Sequence, residues 1–127
     1  MIKKRQYLKG REYYKAHLVL LSSLIPEGAR LTLAETEVLA AFMEVYNGLF
    51  DKAHITLETR ARVRSLLKMS SASLSQHITS MRAKGYIVLN KAPRKTFNIK
   101  EFLIPENGKQ QYMIEFIYED NKQVLEV

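Results

Sequence analysis

TRARVRSLLKMSSASLSQHITSMRAKGYI, residues 59–87, reads as a helix, a tight turn, a second helix and the first step of a strand. At about 100° per residue, Val63, Leu66 and Leu67 fall on one side of a first helix, expected over 57–68 with Thr56 as its cap. Arg60 and Arg62 flank that stripe, and Arg64 and Lys68 lie nearly opposite it. In a second helix, expected over 71–84, Leu74, Ile78 and Met81 make the apolar stripe. Ala72, Gln76, Thr79, Ser80 and Ala83 make the opposing face, with Ser73 and Ser75 beside it. Met69-Ser70-Ser71 is the turn, where either serine can accept a hydrogen bond from the free amides of the new helix. Gly85 closes that helix, and Tyr86-Ile87-Val88-Leu89 opens a strand. The stretch carries Arg60, Arg62, Arg64, Lys68, Arg82 and Lys84 and no acid. A helix-turn-helix pattern joined to charge of one sign points to an anionic polymer, duplex DNA first.

The charge of the whole chain supports that direction. The net charge of +7 divides into +5 over residues 1–15, −3 over 16–55, +9 over 56–100 and −4 over 101–127. A basic middle between mildly acidic segments suggests one positive face, the footprint of a phosphate-binding surface. The plainer alternative is a solvated basic surface that binds nothing. Against it, Arg outnumbers Lys four to one in residues 56–82, and solubility has little need of guanidinium.

Outside this centre, residues 1–9 read as a basic arm. Tyr14, Leu18, Leu21 and Ile25 recur at helical spacing from Arg11, and Pro26 with Gly28 ends the run. Thr32-Leu33-Ala34-Glu35 is a capping-box pattern, a hydroxyl with a carboxylate three residues on. The helix that follows, 33–47, places Val38, Leu39, Phe42, Val45 and Tyr46 on one face, and Asn47-Gly48 stops it. His54-Ile55 is a one-step strand candidate. After the first strand comes a tip, Lys91-Ala92-Pro93-Arg94-Lys95, and a return strand from Thr96 to Ile104. Gln111–Tyr118 alternates like one more strand, with Tyr112, Ile114, Phe116 and Tyr118 on one face, so an extra hairpin is expected with the return strand.

Met69-Ser70, Leu74-Ser75-Gln76-His77-Ile78, Met81 and Lys84-Gly85-Tyr86-Ile87 together resemble the winged helix-turn-helix signature of MarR-type and related bacterial regulators. The resemblance covers residues 54–104. It implies that Ser71, Ala72, Ser73, Gln76 and Thr79 face bases in the major groove, with Arg94 and Lys95 in the wing on backbone or minor groove. Arg60, Arg62, Arg64, Lys68, Ser75 and Arg82 then join the wing on the DNA backbone. The long dimerising helix with which that family usually ends is not evident. The order of elements is also similar to that of small uncharacterised proteins of tailed bacteriophages.

Other chemistry finds little support. With no cysteine, disulfides and thiol nucleophiles are excluded, which fits a reducing cytoplasm. His17, His54 and His77 lack zinc-ligand spacing. Glu35, Glu37 and Glu44 share the capped helix, where Glu35 is explained by its cap. No G-x-S-x-G or Gly-rich phosphate loop occurs, so no enzyme, metal or cofactor is expected. The basic N-terminus has no apolar h-region, and no apolar run approaches the roughly 20 residues that span a bilayer. Tyr13-Tyr14 could stack on bases, although Tyr14 at this spacing reads as core.

The expected architecture is therefore α+β, mainly α. It is one winged helix-turn-helix domain over 1–127: an arm at 1–9, a helical part at 11–53, the winged unit at 54–104, and a C-terminal strand and tail at 105–127. The expected function is duplex DNA binding by a cytoplasmic transcriptional regulator. A homodimer is expected through Tyr13, His17, Leu18 and Leu21, since paired half-sites multiply specificity. The alternative is a non-enzymatic interaction or assembly protein, in a phage or a transcription complex, that reuses the same fold. It draws weight from the short side chains of helix 71–84, where only Gln76 offers a bidentate amide.

Overall fold

The computed structural model describes residues 4–46, 53–90 and 96–105, with Glu115, Ile117 and Tyr118 beyond them. Four helices run in sequence: α1 (Arg11–Ser22), α2 (Leu33–Tyr46), α3 (Leu57–Leu67) and α4 (Ser71–Ala83). Two strands, β1 (Ile87–Leu89) and β2 (Phe97–Ile99), then pair antiparallel, with Val88 opposite Asn98. The chain is mainly helical with a small sheet, an α+β arrangement.

The centre is α2. Val38 to Met43 are all buried in unbroken succession, so the helix is covered on every side and not on the single face that periodicity suggested. The reason is its neighbours: α1, α3 and α4 all pack against it. Tyr14 and Leu18 of α1, Val63 of α3, and Leu74, Ile78 and Met81 of α4 close over Phe42 and Leu39 to form one core. His17 and Leu18 are 6% and 1% exposed within the single chain, so these two of the four residues expected at a dimer surface pack inside the fold, while Tyr13 and Leu21 are half-buried. The apolar residues that α1 leaves outside are Val19 and Leu20.

Local signals set the helix ends. Thr32 Oγ1 accepts from the Glu35 amide at 3.1 Å while Glu35 Oε1 accepts from the Thr32 amide at 2.8 Å, the reciprocal cap of α2. Thr56 and Thr59 cap α3 in the same way. α1 stops at Ser22, short of Ile25. The amides of Leu24 and Ile25 bond three residues back, a tightened last turn, because the residue before Pro26 is disfavoured in helical geometry. Asn47-Gly48 lies outside the described residues.

Four threads tie α4 and the sheet to the rest. Ile55 bridges Phe97, as the one-step strand at that point predicts. The His54 Nδ1 accepts from the Ile99 amide at 2.9 Å, and burial holds the imidazole pKa below its ordinary value. Lys84, at the end of α4, reaches back to Glu35 Oε1 at 2.6 Å and to the Arg30 carbonyl at 2.8 Å, and the Tyr86 hydroxyl donates to the Ala29 carbonyl.

The return strand is shorter than expected. It ends at Ile99, and a 3-10 turn at Glu101–Leu103 replaces its second half. That turn seats Leu103 fully in the core while Phe102 stays outside. Of the expected last strand only Glu115, Ile117 and Tyr118 are described. All three are exposed and outside any strand, and the rest of the expected C-terminal hairpin lies outside the described residues.

The Glu35 side chain is 2% exposed. Burial alone would raise its pKa, but hydrogen bonds from Lys84, the Thr32 amide and Ser80, with the Lys84 charge, hold it below the ordinary value. A lowered folded pKa means that the stabilisation is complete above the unfolded carboxyl pKa of about 4.3 and is lost as pH falls through the folded value. Glu35→Gln is expected to cost about 1–3 kcal/mol at neutral pH and to flatten the acid limb of stability against pH. Urea unfolding of both proteins from neutral to acidic pH measures this, and equal stability at neutral pH would remove the pair from the account.

Candidate nucleic-acid interface

The surface around α4 is built from α3, the connection Lys68–Ser70 and the two strands. Ser70 caps α4: its Oγ accepts from the Ser73 amide at 3.1 Å, which decides between the two serines of the turn. Leu74, Ile78 and Met81 face the core, and Ala72, Gln76, Thr79, Ser80 and Ala83 are exposed on the opposite side. That side is uncharged and low in relief, so another surface can approach it closely. Ser73 and Ser75 are half-buried at its borders. Ser71 is exposed but sits in the first turn, rotated away from Gln76.

Charge rims this neutral strip. No acidic residue occurs between Thr59 and Lys100. Arg64 and Lys68 are exposed at the end of α3, Arg82 is exposed in the last turn of α4, and Arg60 is half-buried in the first turn of α3. Among the described residues, none of the four has an acidic partner. Two cations of the same stretch do. Arg62 pairs with Glu58 at 3.1 Å, one helical turn away, and Lys84 is committed to Glu35. The Arg62 pair is open to solvent on both sides and is worth little, so it can be exchanged for another anion. Arg94 and Lys95 lie outside the described residues.

Two features of the rim have no counterpart in the sequence reading. First, Arg60 and Arg82 converge on one aromatic ring, with their guanidinium carbons 5.7 Å and 5.8 Å from the centroid of Phe97. Second, Lys68 terminates α3 in the left-handed region, at φ 51° and ψ 49°. It is the one non-glycine residue with positive φ among those described. Helices that end this way usually place glycine there. No sequence signal marks either feature, because one depends on a pairing across the fold and the other on a backbone angle.

The remaining recess with polar lining, at His54, Asn98, Ile99, Glu101, Ile104 and Pro105, is open and shallow. Its His54 Nδ1 and Asn98 Oδ1 already accept backbone amides, so they serve the strand pairing. Among the described residues, no group of three acidic or histidine side chains is placed to hold a metal, and no helix is long and apolar enough to cross a membrane.

Comparison with protein-family models, with curated proteins and with solved structures finds no match to the chain.

An L-residue in the left-handed region carries strain of about 1 kcal/mol or more, and glycine relieves it at some cost in unfolded-state entropy. Lys68→Gly is therefore expected to hold stability level or raise it by up to about 1 kcal/mol, with Lys68→Ala staying near wild type. Denaturant unfolding gives the answer, and a clear loss in the glycine variant would mean that the lysine itself stabilises the fold.

Proposed function

We propose that this chain binds duplex DNA as a winged helix-turn-helix protein and acts as a transcriptional regulator. On this reading α4 enters the major groove and the segment between β1 and β2 forms the wing. The observation that carries it is the acid-free rim of Arg60, Arg64, Lys68 and Arg82, unpaired among the described residues, beside an uncharged, exposed strip of small side chains on α4. Phosphates neutralise such a rim and release counterions. Small side chains at Ala72, Thr79 and Ala83 let the helix backbone approach the base edges. Gln76, exposed at the middle of the strip, is the side chain suited to bidentate contact with adenine, and Ala72 or Thr79 to contact with a thymine methyl. Arg94 and Lys95 extend the rim in sequence.

The strained backbone at Lys68 supports the same reading. A lysine held where glycine is cheaper is accounted for if its ammonium has a partner outside the chain.

Duplex binding should weaken linearly in log–log salt titration, with about 0.9 of slope for each phosphate contacted. Replacing Arg64 and Lys68 together by alanine should weaken binding to every sequence and flatten the slope by up to about two units. Gln76→Ala should cost about 1–3 kcal/mol on a preferred site and almost nothing on scrambled duplex. A wild-type protein that binds no duplex at low salt would sink this reading. The assembly-protein alternative, which the short side chains of α4 favour, would then replace it.

A further inference from the structure

We infer that Arg60, Arg82 and Phe97 form a preformed phosphate subsite, in which one aromatic ring holds two guanidinium groups ready for the oxygens of a phosphodiester. The inference deepens the duplex-binding reading by naming where the backbone is gripped and what positions the grip.

Phe97 is the fixed point. Its amide and carbonyl exchange hydrogen bonds with Ile55 at 3.1 Å and 3.0 Å, and on the other edge it stands in register with Leu89. The residue is 8% exposed. Its ring therefore cannot swing to follow a mobile side chain, and the arginines must come to it. Arg60 arrives from the first turn of α3 and Arg82 from the last turn of α4.

A cation–π contact draws the guanidinium by its charge and makes no hydrogen bond with its N–H fork. Among the described residues, neither Arg60 nor Arg82 donates a side-chain hydrogen bond or meets a carboxylate. Glu58 is paired with Arg62, and Glu35 with Lys84. Two like charges are thus drawn to one ring with their donors unspent. A purely structural cation–π contact needs one arginine, and a second raises repulsion with no gain in burial. An anion bridging both forks removes that repulsion, and a tetrahedral phosphate has the oxygens to accept from both. The position, at the junction of α3, α4 and β2, sets the grip beside the neutral strip of α4, so a phosphate held here would fix the depth of that helix in a groove.

The test reads the arginines directly. Inorganic pyrophosphate is titrated into the full chain, followed by the side-chain Nε–Hε resonances of Arg60 and Arg82, assigned through Arg60→Lys and Arg82→Lys. Both resonances should shift together and saturate. Phe97→Leu keeps an apolar residue but removes the ring, and should weaken pyrophosphate binding about three- to tenfold, roughly the loss of two exposed cation–π contacts. Phe97→Tyr should restore it. Pyrophosphate that shifts neither arginine, or a folded Phe97→Leu variant that binds like wild type, overturns the inference. If Phe97→Leu does not fold, the lysine variants decide: each keeps the charge and loses the guanidinium fork, so affinity should fall about threefold or more, and unchanged affinity overturns the subsite. A short DNA duplex is titrated in parallel. Pyrophosphate binding at both arginines without duplex binding leaves the subsite standing and refutes the DNA reading. Duplex binding that ignores Phe97→Leu refutes the subsite and leaves the DNA reading intact.

Discussion

The orientation of α4 depends on one ion pair, between a buried carboxylate and a half-buried lysine. Glu35 begins α2 and Lys84 ends α4, and their 2.6 Å contact pins the last turn of one helix to the first turn of the other. The Tyr86 hydroxyl, two residues beyond Lys84, grips the Ala29 carbonyl in the same α1–α2 connection. Apolar packing of Leu74, Ile78 and Met81 onto α2 would tolerate rotation or sliding of α4, because dispersion and burial have no preferred direction. The pair and the tyrosine remove that freedom. Its net worth against an apolar pair is small, but losing one partner strands the other away from water. The orientation is therefore held firmly although the pair adds little stability. With α4 fixed, the exposed strip from Ala72 to Ala83 has a defined direction relative to the sheet.

The same pair sorts the charges. Lys15 is satisfied by Glu37, Arg62 by Glu58 and Lys84 by Glu35, so the acids of α2 and of the start of α3 neutralise cations on their own sides. From Thr59 to Lys100 there is no acid to continue the pattern. The rim of Arg60, Arg64, Lys68 and Arg82 is left as concentrated like charge, which works against a compact fold through self-repulsion. Cations placed for solubility are spread out. Here two meet over Phe97 and a third stands on a left-handed residue.

Much of this fold is legible in the sequence because it is written in short-range chemistry. Thr32 with Glu35 and Thr56 with Thr59 start helices through bonds three residues apart. Gly85, at φ 87°, turns the chain from α4 towards β1. The stripe Leu74, Ile78, Met81 repeats at the helical period and is buried. What was misread depends on partners far away. Glu35 is fully explained by its cap, and nothing nearby betrays the lysine 49 residues on. Burial of Ala40 and Ala41 requires knowing that other helices flank α2. His17 and Leu18, expected at a dimer surface, are buried with Tyr14 in a helix that packs against α2. The return strand is expected from Thr96 to Ile104, and the 3-10 turn at Glu101–Leu103 cuts it off after Ile99. For the candidate site, the residue types were readable, but the convergence of Arg60 and Arg82 was not. It is made by an antiparallel pairing that brings position 97 beside position 55.

The composition of the α4 strip sets what kind of recognition the proposed function can achieve. Discrimination by direct contact rests on side chains long enough to reach base edges and forked enough to read two atoms. Gln76 meets both conditions, Ser80 and Thr79 meet neither fully, and Ala72 and Ala83 offer only a methyl group. No guanidinium stands on the strip to read guanine, since Arg60 and Arg82 are held at its edge by Phe97. Under the proposed function, such a protein would take most of its affinity from phosphate contacts, which carry no sequence information of their own. Its selectivity must come from Gln76, from methyl contacts, and from how readily a given duplex adopts the groove shape that lets phosphates meet a rigid rim. A rim fixed by an ion pair and an aromatic ring is the form of surface that can read such shape, because a yielding one would adapt to every duplex alike.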